Sequence, residues 1–359
     1  MSRNRVLYGT HIGSGDQFVI FKKKKSLVGL DIGASSVKAV ELTNYGDRLY
    51  ITGIGRKRID NPEYVSDTIR QTLDEAGIKA RRVASSVSGR SVIFRPITMM
   101  SMSNEELQQA IRYEADKYIP FDVNEVILDC QALKDDTETP TGQMKVLLVA
   151  AKQTLVDDHI ALIESAELIP HFIDVDVFAL SNAFELRNLL MGVQDDEVRA
   201  LVDVGAMRTN INIMRGNWSL FQREMYIAGD HITEALARRF GEDPADVEKM
   251  KVDPGGALES MQEAFLPVLE EIGSEVRLSF DFFESQHEME VREVYVSGGT
   301  VQFPGIDIML SQILNIEARL WDPTEGLELM GAGINPAGFI GANSEMAVAI
   351  GLASRIRSM

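Results

Sequence analysis

One cysteine, five histidines and no long apolar run set the limits of this 359-residue chain. A lone thiol, Cys130, excludes an intramolecular disulfide and suits a reducing compartment. The histidines (His11, His159, His171, His231 and His287) have no metal-ligand spacing, which argues against a zinc site. No stretch approaches the ~18–20 apolar residues of a membrane span, and the N-terminal residues lack the apolar core of a secretory signal. Positive charge is also in deficit. Against 54 Asp and Glu stand 36 Lys and Arg, a net charge of −18 that argues against nucleic acid as a partner. Together these absences predict a soluble, cytoplasmic protein. An anionic nucleotide stays compatible with them, because backbone N–H groups and one or two lysines act locally.

What is present is a strand–turn–strand segment that occurs twice. Residues 27–42 read LVGLDIGASSVKAVEL and residues 199–214 read RALVDVGAMRTNINIM. Each apolar run ends in Asp, an apolar residue, Gly and Ala: Asp31-Ile32-Gly33-Ala34, then Asp203-Val204-Gly205-Ala206. Gly33 stands where the turn bends and brings backbone close to a ligand. Ser35 and Ser36 add small hydroxyls beside N–H groups that form an anion nest. Lys38 shares a strand face with Ser36 and reaches a phosphate as a point charge. Asp31 and Asp203, each at the end of an apolar strand, are costly unless paired, and a magnesium ion held through water accounts for both. One such hairpin is equally well an ordinary turn with Asp as turn former. Its recurrence at matching positions favours a clamp with two related lobes.

Along the chain, Asn61-Pro62-Glu63 opens a helix with Val65, Ile69, Leu73 and Ala76 as its buried stripe, closed by Gly77. Ser103-Asn104-Glu105-Glu106 is a capping box for a helix that ends at Pro120. Two β runs (Val123–Leu133 and Met144–Ala151) around a polar turn (Lys134–Gln143), a helix (Thr154–Ala166), a strand (Phe172–Val177) and a helix (Ala179–Met191) follow. Residues 229–290 read as helical, with breaks at Gly241 and at Asp253-Pro254-Gly255-Gly256. Strand Val291–Ser297, helix Ile306–Leu314, a Gly-rich stretch Gly326–Gly341 and helix Glu345–Ile356 complete the chain.

The division read from these signals is a basic leader over 1–26, a first lobe over 27–90 and 172–198 split by an inserted subdomain at 91–171, and a second lobe over 199–228 and 291–359 split by a helical subdomain at 229–290. The leader, ending in Lys22-Lys23-Lys24-Lys25, reads as a solvated tail or as a contact for anionic lipid, worth about 1 kcal/mol per lysine. Met99-Met100-Ser101-Met102 reads as core packing or as part of a partner-peptide groove. Cys130 reads as a packed apolar residue.

DIGASSVK resembles the first phosphate loop of the actin-like ATPase superfamily and DVGAMRTN its second. VYVSGG, at Val294–Gly299, followed by Phe303-Pro304-Gly305, is similar to the adenosine motif, and SEMAVAIGLAS at Ser344–Ser354 to the closing helix. The inserted subdomain stands where the FtsA/PilM branch carries its extra domain, and GLDIGASSVKAVEL, EADKYIPFDVNEV and GDHITEAL are nearest to the PilM family of type IV pilus assembly.

The resemblance implies an α/β, two-lobed, ribonuclease H-like fold. It implies ATP and Mg2+ as cofactors, with Gly33, Ala34, Ser35, Ser36, Lys38, Gly205, Ala206 and Arg208 at the phosphates, Asp31 and Asp203 at the metal, and Gly298 and Gly299 at the nucleoside. Glu248 and Lys251, in VEKMK, match its nucleoside-contacting pattern, though such a pair is also an ordinary solvated helix face. Asp176 takes the place of a Glu or Gln that positions the attacking water and is one methylene shorter. Met207 and Arg208 replace small or hydroxyl residues; Arg208 either pairs with the terminal phosphate or narrows the site.

These departures imply nucleotide binding with slow or no hydrolysis. The implied partner is the N-terminal tail of a PilN-like inner-membrane protein, docked against the first lobe and the inserted subdomain. The chain would then be peripheral at the cytoplasmic face of the inner membrane, its oligomeric state left open. Two rivals are an FtsA-like division anchor, disfavoured because the chain stops directly after the closing helix, and a sugar or acetate kinase, for which Asp176 is the only base and no second constellation exists.

Overall fold

Both Asp-x-Gly-Ala segments fold as hairpins at the centre of separate sheets in the computed structural model, which describes residues 25–46, 48–133, 142–330 and 343–359. The leader up to Lys24, most of the polar turn at 134–143 and the Gly-rich stretch from 331 to 341 lie outside the described residues.

In the first lobe, β1 (Lys25–Ile32) pairs antiparallel with β2 (Ser36–Tyr45), which pairs with β3 (Arg48–Arg58). A short 3-10 turn capped by Asn61 leads into α1 (Val65–Glu75), which buries Ile69 and Leu73. It lies so close to β3 that a Cβ on Gly55 would fall 2.8 Å from the Ala76 methyl and 2.9 Å from the Thr72 carbonyl. The parallel strand β4 (Arg82–Val87) follows.

A three-stranded sheet is inserted next. β5 (Val92–Met100), α2 (Asn104–Glu114), β6 (Val126–Ala132) and β7 (Gln143–Lys152) form it in the order β5-β7-β6. The capping box of α2 is present, with Ser103 N donating to Glu106 Oε2 (2.8 Å) and Glu106 N to Ser103 Oγ (3.3 Å). Met99 and Cys130 lie in the core between α2 and the sheet, while Met100 points outward. The strand expected from Val123 starts only at Val126. Asp122 Oδ1 accepts from Asn124 N (2.8 Å) and caps a 3-10 turn there instead. Helix α3 (Gln153–Ser165) then bridges the two sheets, with Val156 and Ile160 on the inserted one and Ile163 in the first-lobe core.

Strand β8 (Ile169–Val175) returns to the first sheet beside β4, and α4 (Asp176–Met191) starts at once. The strand expected to run to Val177 therefore stops two residues short. The Asp174-Val175-Asp176-Val177 alternation carries the period of a strand past the end of β8. Val177 and Phe178 are buried as helical residues, and Asn212 Nδ2 donates to the Val177 carbonyl at 3.0 Å.

The second lobe repeats the plan. β9 (Val198–Val204), β10 (Thr209–Arg215) and β11 (Trp218–Met225) are followed by α5 (Gly229–Phe240), α6 (Pro244–Val252) and α7 (Leu258–His287). Strand β12 (Glu293–Ser297), α8 (Ile306–Leu314) and β13 (Ala318–Leu320) complete a sheet of order β11-β10-β9-β12-β13. The chain then crosses back. β14 (Glu328–Leu329) pairs with β3 at the edge of the first sheet, and α9 (Ala347–Ala353) packs on β1, β2 and β4.

Each lobe thus hands a helix to the other: α4 leaves the first sheet to pack on β9, β10 and β11, and α9 does the reverse. Their backbones touch where they cross. A Cβ on Gly351 would lie 1.7 Å from the Ala179 carbonyl oxygen, and one on Gly29 of β1 would lie 1.8 Å from the Ala349 carbonyl oxygen. A single core runs under both lobes at this crossing, holding Leu27 and Val40 of the first sheet, Leu201 and Met214 of the second, and the edge-to-face rings of Phe184, Tyr295 and Trp321. No described helix is long and apolar enough to cross a membrane.

Candidate functional site

The two hairpin turns carry the same hydrogen bond. Gly33 N donates to the Ser36 carbonyl (3.0 Å), and Gly205 N donates to the Arg208 carbonyl (2.9 Å). A Cβ would fall 3.1 Å from the Ser36 oxygen in the first turn and 3.0 Å from the Arg208 oxygen in the second. The turns themselves thus leave little room for a Cβ at either glycine. The glycines' own N–H groups are consumed, so an anion would be met by the N–H groups further round each turn. The second turn is also tied to its helical subdomain: Asp230 N donates to the Ala206 carbonyl (2.8 Å), and Gly229 N and Thr300 Oγ1 both donate to the Gly205 carbonyl (3.0 and 2.8 Å).

Asp31 and Asp203 end their strands nearly buried, at 8% and 9% exposure, yet each has a protein partner. Register places Lys38 opposite Asp31, and Lys38 Nζ donates to Asp31 Oδ2 at 2.9 Å. Ser297 Oγ donates to Asp203 Oδ1 at 2.9 Å. These pairs account for their burial beside the magnesium that the sequence reading invoked. Burial works against the charged form of all three groups. It prevails at Asp31, whose carboxyl is pushed up despite Lys38, and at Asp203, which is pushed up to about 6. At Lys38 the carboxylates of Asp31, Glu345 and Asp203 outweigh burial and hold the ammonium above its ordinary value. Among the described residues no group of three or more His, Cys, Asp or Glu could hold a metal ion.

On the second-lobe side, Lys251 of α6 donates to Glu248 Oε1 (2.8 Å) and to Thr233 Oγ1 of α5 (3.0 Å). Burial raises the Glu248 carboxyl, but Lys251 and Thr233 outweigh it and hold the group below its usual range. Opposite stands Glu345, 2% exposed, with its carboxyl pushed up by burial. Arg56 Nε lies 3.0 Å from Glu345 Oε2, and Arg56, Lys38 and Gln302 work against that burial.

These groups line two adjoining hollows between the lobes, of about 230 and 360 Å³, which share Arg56, Arg58, Glu248, Lys251, Gly299 and Thr300. Every residue expected from sequence lines them except Gly298, including Asp176 at the first position of α4. Gly298, at φ 97°, instead packs against the Val204 backbone, where a Cβ would lie 2.3 Å from the carbonyl oxygen. Sequence reasoning missed Arg56, Arg58, Asn210, Thr233 and Glu345. For the arginines a signal existed: Arg56 and Arg58 alternate on β3, opposite Lys38 and Ser36 in register. For Glu345, in the 3-10 turn Asn343–Met346 that leads into α9, there was none.

The profile of the family described as type IV pilus assembly protein PilM matches residues 29–357. Among solved structures, a PilM-PilN type IV pilus biogenesis complex is similar, with 30% identity and a TM-score of 0.80, covering 92% of this chain and 98% of that one. Ethanolamine utilization protein EutJ from Carboxydothermus hydrogenoformans matches at 13% identity and a TM-score of 0.56, covering 92% and 89%. MreB5 of Spiroplasma citri bound to ADP matches at 10% identity and a TM-score of 0.51, covering 93% and 97%. The last two share the fold alone, and that fold is the two-lobed actin-like one.

Proposed function

The chain belongs to the type IV pilus assembly protein PilM family, and from that premise we propose that it is an ATP-binding scaffold of pilus assembly that captures the N-terminal tail of a PilN-like inner-membrane protein. The observation that carries the nucleotide is the pair of matching turns, Gly33–Ser36 and Gly205–Arg208, facing one cleft with Lys38 between two strand-end carboxylates. The triphosphate would lie between the turns, against Lys38 and the N–H groups of Ala34, Ser35 and Ser36. The nucleoside would occupy the second hollow, against Glu248, Lys251 and Gly299. The ADP carried by the MreB5 neighbour supports this reading of the fold's cleft.

Asp31 and Asp203 suit a hydrated magnesium, which keeps several waters and is fixed mainly by phosphates. When bound, it would neutralise phosphate charge. Lys38 would exchange Asp31 for a phosphate oxygen, and Ser297 would continue to orient Asp203. Asp176 would hold a water too loosely for efficient attack, so the nucleotide serves to brace the lobes.

The partner reading rests on the PilM-PilN complex, with the inserted sheet and first lobe proposed as its dock and the cytoplasmic face of the inner membrane as its place. Calorimetry with ATP·Mg, alone and with a synthetic N-terminal peptide of the partner, tests both halves. Heat of binding is expected for each ligand. A folded protein that binds neither the nucleotide nor the peptide would sink the proposal.

A further inference from the structure

Arg208 stands on the second turn, lines the cleft, and reaches away from it to a carboxylate on the neighbouring strand. Its Nε lies 3.9 Å from Glu224 Oε2 of β11. The same oxygen accepts a hydrogen bond from Gly89 N at 3.0 Å. Gly89 belongs to neither second-lobe strand nor helix: it sits in the turn that joins β4 of the first lobe to β5 of the inserted sheet, at φ 95°. Arg208 presses on that turn directly, since a Cβ on Gly89 would fall 2.8 Å from Arg208 Nη1. Arg90, the next residue, stacks its guanidinium over the Tyr226 ring at 4.8 Å. The turn itself is tight, with Val92 N donating to the Gly89 carbonyl at 2.8 Å, and Lys152 N of β7 donates to the Ser91 carbonyl at 2.9 Å. One carboxylate thus holds a cleft cation with one oxygen and the lead-in to the inserted sheet with the same oxygen.

We propose that Arg208 is a terminal-phosphate sensor which leaves Glu224 for a bound nucleoside triphosphate, and that its departure changes the hold of Glu224 on the Gly89 turn and so couples cleft occupancy to the setting of the inserted sheet. The inference rests on the nucleotide reading given above. A phosphate carries more charge than a carboxylate and takes a guanidinium fork in the same bidentate way. An ion pair at 3.9 Å, 30% and 15% exposed, is weak enough to be given up. A diphosphate, which lacks the outermost group, would leave the pair in place. Coupling of this kind is reciprocal, so a ligand that resets the inserted sheet would shift triphosphate affinity by the same factor.

The test compares the wild type, Arg208→Ala and Glu224→Gln in titrations with AMPPNP·Mg and ADP·Mg, with backbone hydrogen exchange followed at residues 88–92. In the wild type, the Gly89 amide should exchange about fivefold differently with the two nucleotides, the lower end of ordinary allosteric coupling. Arg208→Ala should lose about fivefold in triphosphate-over-diphosphate preference and make the turn indifferent to which nucleotide is bound. Glu224→Gln should gain preference by a similar factor and exchange fast with either. Wild-type preference retained in both variants, or a turn that exchanges identically with both nucleotides, overturns the inference while leaving nucleotide binding intact. If neither nucleotide binds the wild type, the cleft reading fails and this inference falls with it.

Discussion

Asp31 and Lys38 face each other across the β1–β2 ladder and close an ion pair of 2.9 Å at the floor of the cleft. The lysine best placed for a phosphate is thus held by the carboxylate best placed for a metal. Under the proposed function, ligand and metal would have to arrive together, or one of the two residues would be left buried with an unbalanced charge.

Lys38→Met should therefore destabilise the ligand-free protein by about 3 kcal/mol at pH 7, the cost of removing one partner of a buried pair. With the cation gone, the Asp31 carboxyl rises further above its unfolded value. The deficit then shrinks as pH falls toward 4 and Asp31 takes up its proton. Asp31→Asn added to Lys38→Met should restore most of the loss. Urea denaturation across pH checks all three statements.

Asp203 gives a pH dependence with a definite sign. Its folded value, about 6, lies above the 3.8 of an ordinary aspartate, so its stabilising contribution is complete below pH 3.8 and is lost as pH rises through 6. The difference corresponds to about 3 kcal/mol. Asp203→Asn should flatten the stability of the ligand-free protein between pH 4 and 6. Magnesium needs the ionised form, so ATP·Mg affinity in the wild type should rise about tenfold per pH unit below 6 and level off above it. Calorimetry over that range decides the matter, and a flat profile would remove Asp203 from the site.

Much of this was legible in the sequence, and the failures have physical reasons. Punctuated elements read correctly: the capping box at Ser103, the Pro and Gly bounds of α1, and the hairpins themselves. The boundary at Asp176 did not, because the alternation Asp174-Val175-Asp176-Val177 keeps a strand's period into the first turn of α4. Nor did the Asp31–Lys38 and Asp203–Ser297 pairs, which depend on register across strands rather than on spacing along one. The pairing of β14 with β3 joins residues far apart in the chain, and short edge strands leave little pattern.

Glu248→Gln should weaken nucleotide binding about tenfold, as expected for loss of one charge-assisted hydrogen bond. The loss should be seen equally with adenosine and with ATP if Glu248 meets the nucleoside. A deficit confined to ATP would relocate the residue to the phosphates.

Hydrolysis should be slow, on the order of 10⁻³ s⁻¹ or below, as in nucleotide sites without a completed catalytic set. Asp176→Asn should leave the affinity for AMPPNP·Mg within about twofold, since a residue that only orients water contributes little to binding the nucleotide. Single-turnover phosphate release measures the first quantity, and titration the second.

Gly351→Ala places a methyl 1.7 Å from the Ala179 carbonyl oxygen and should cost about 3 kcal/mol. Gly256→Ala, with nothing within 4 Å, should stay within about 0.5 kcal/mol. Equal urea midpoints for the two variants would contradict the crossing as described.

That crossing decides how the lobes can move. Two helices separated by side chains can slip past each other by a turn, each knob finding the next hole. At Gly351 and Ala179 there are no knobs, only backbone against backbone, with Gly29 fixing α9 to the first sheet from behind. Such a joint resists the sliding of one helix along the other, so a change of lobe angle would have to leave this contact in place.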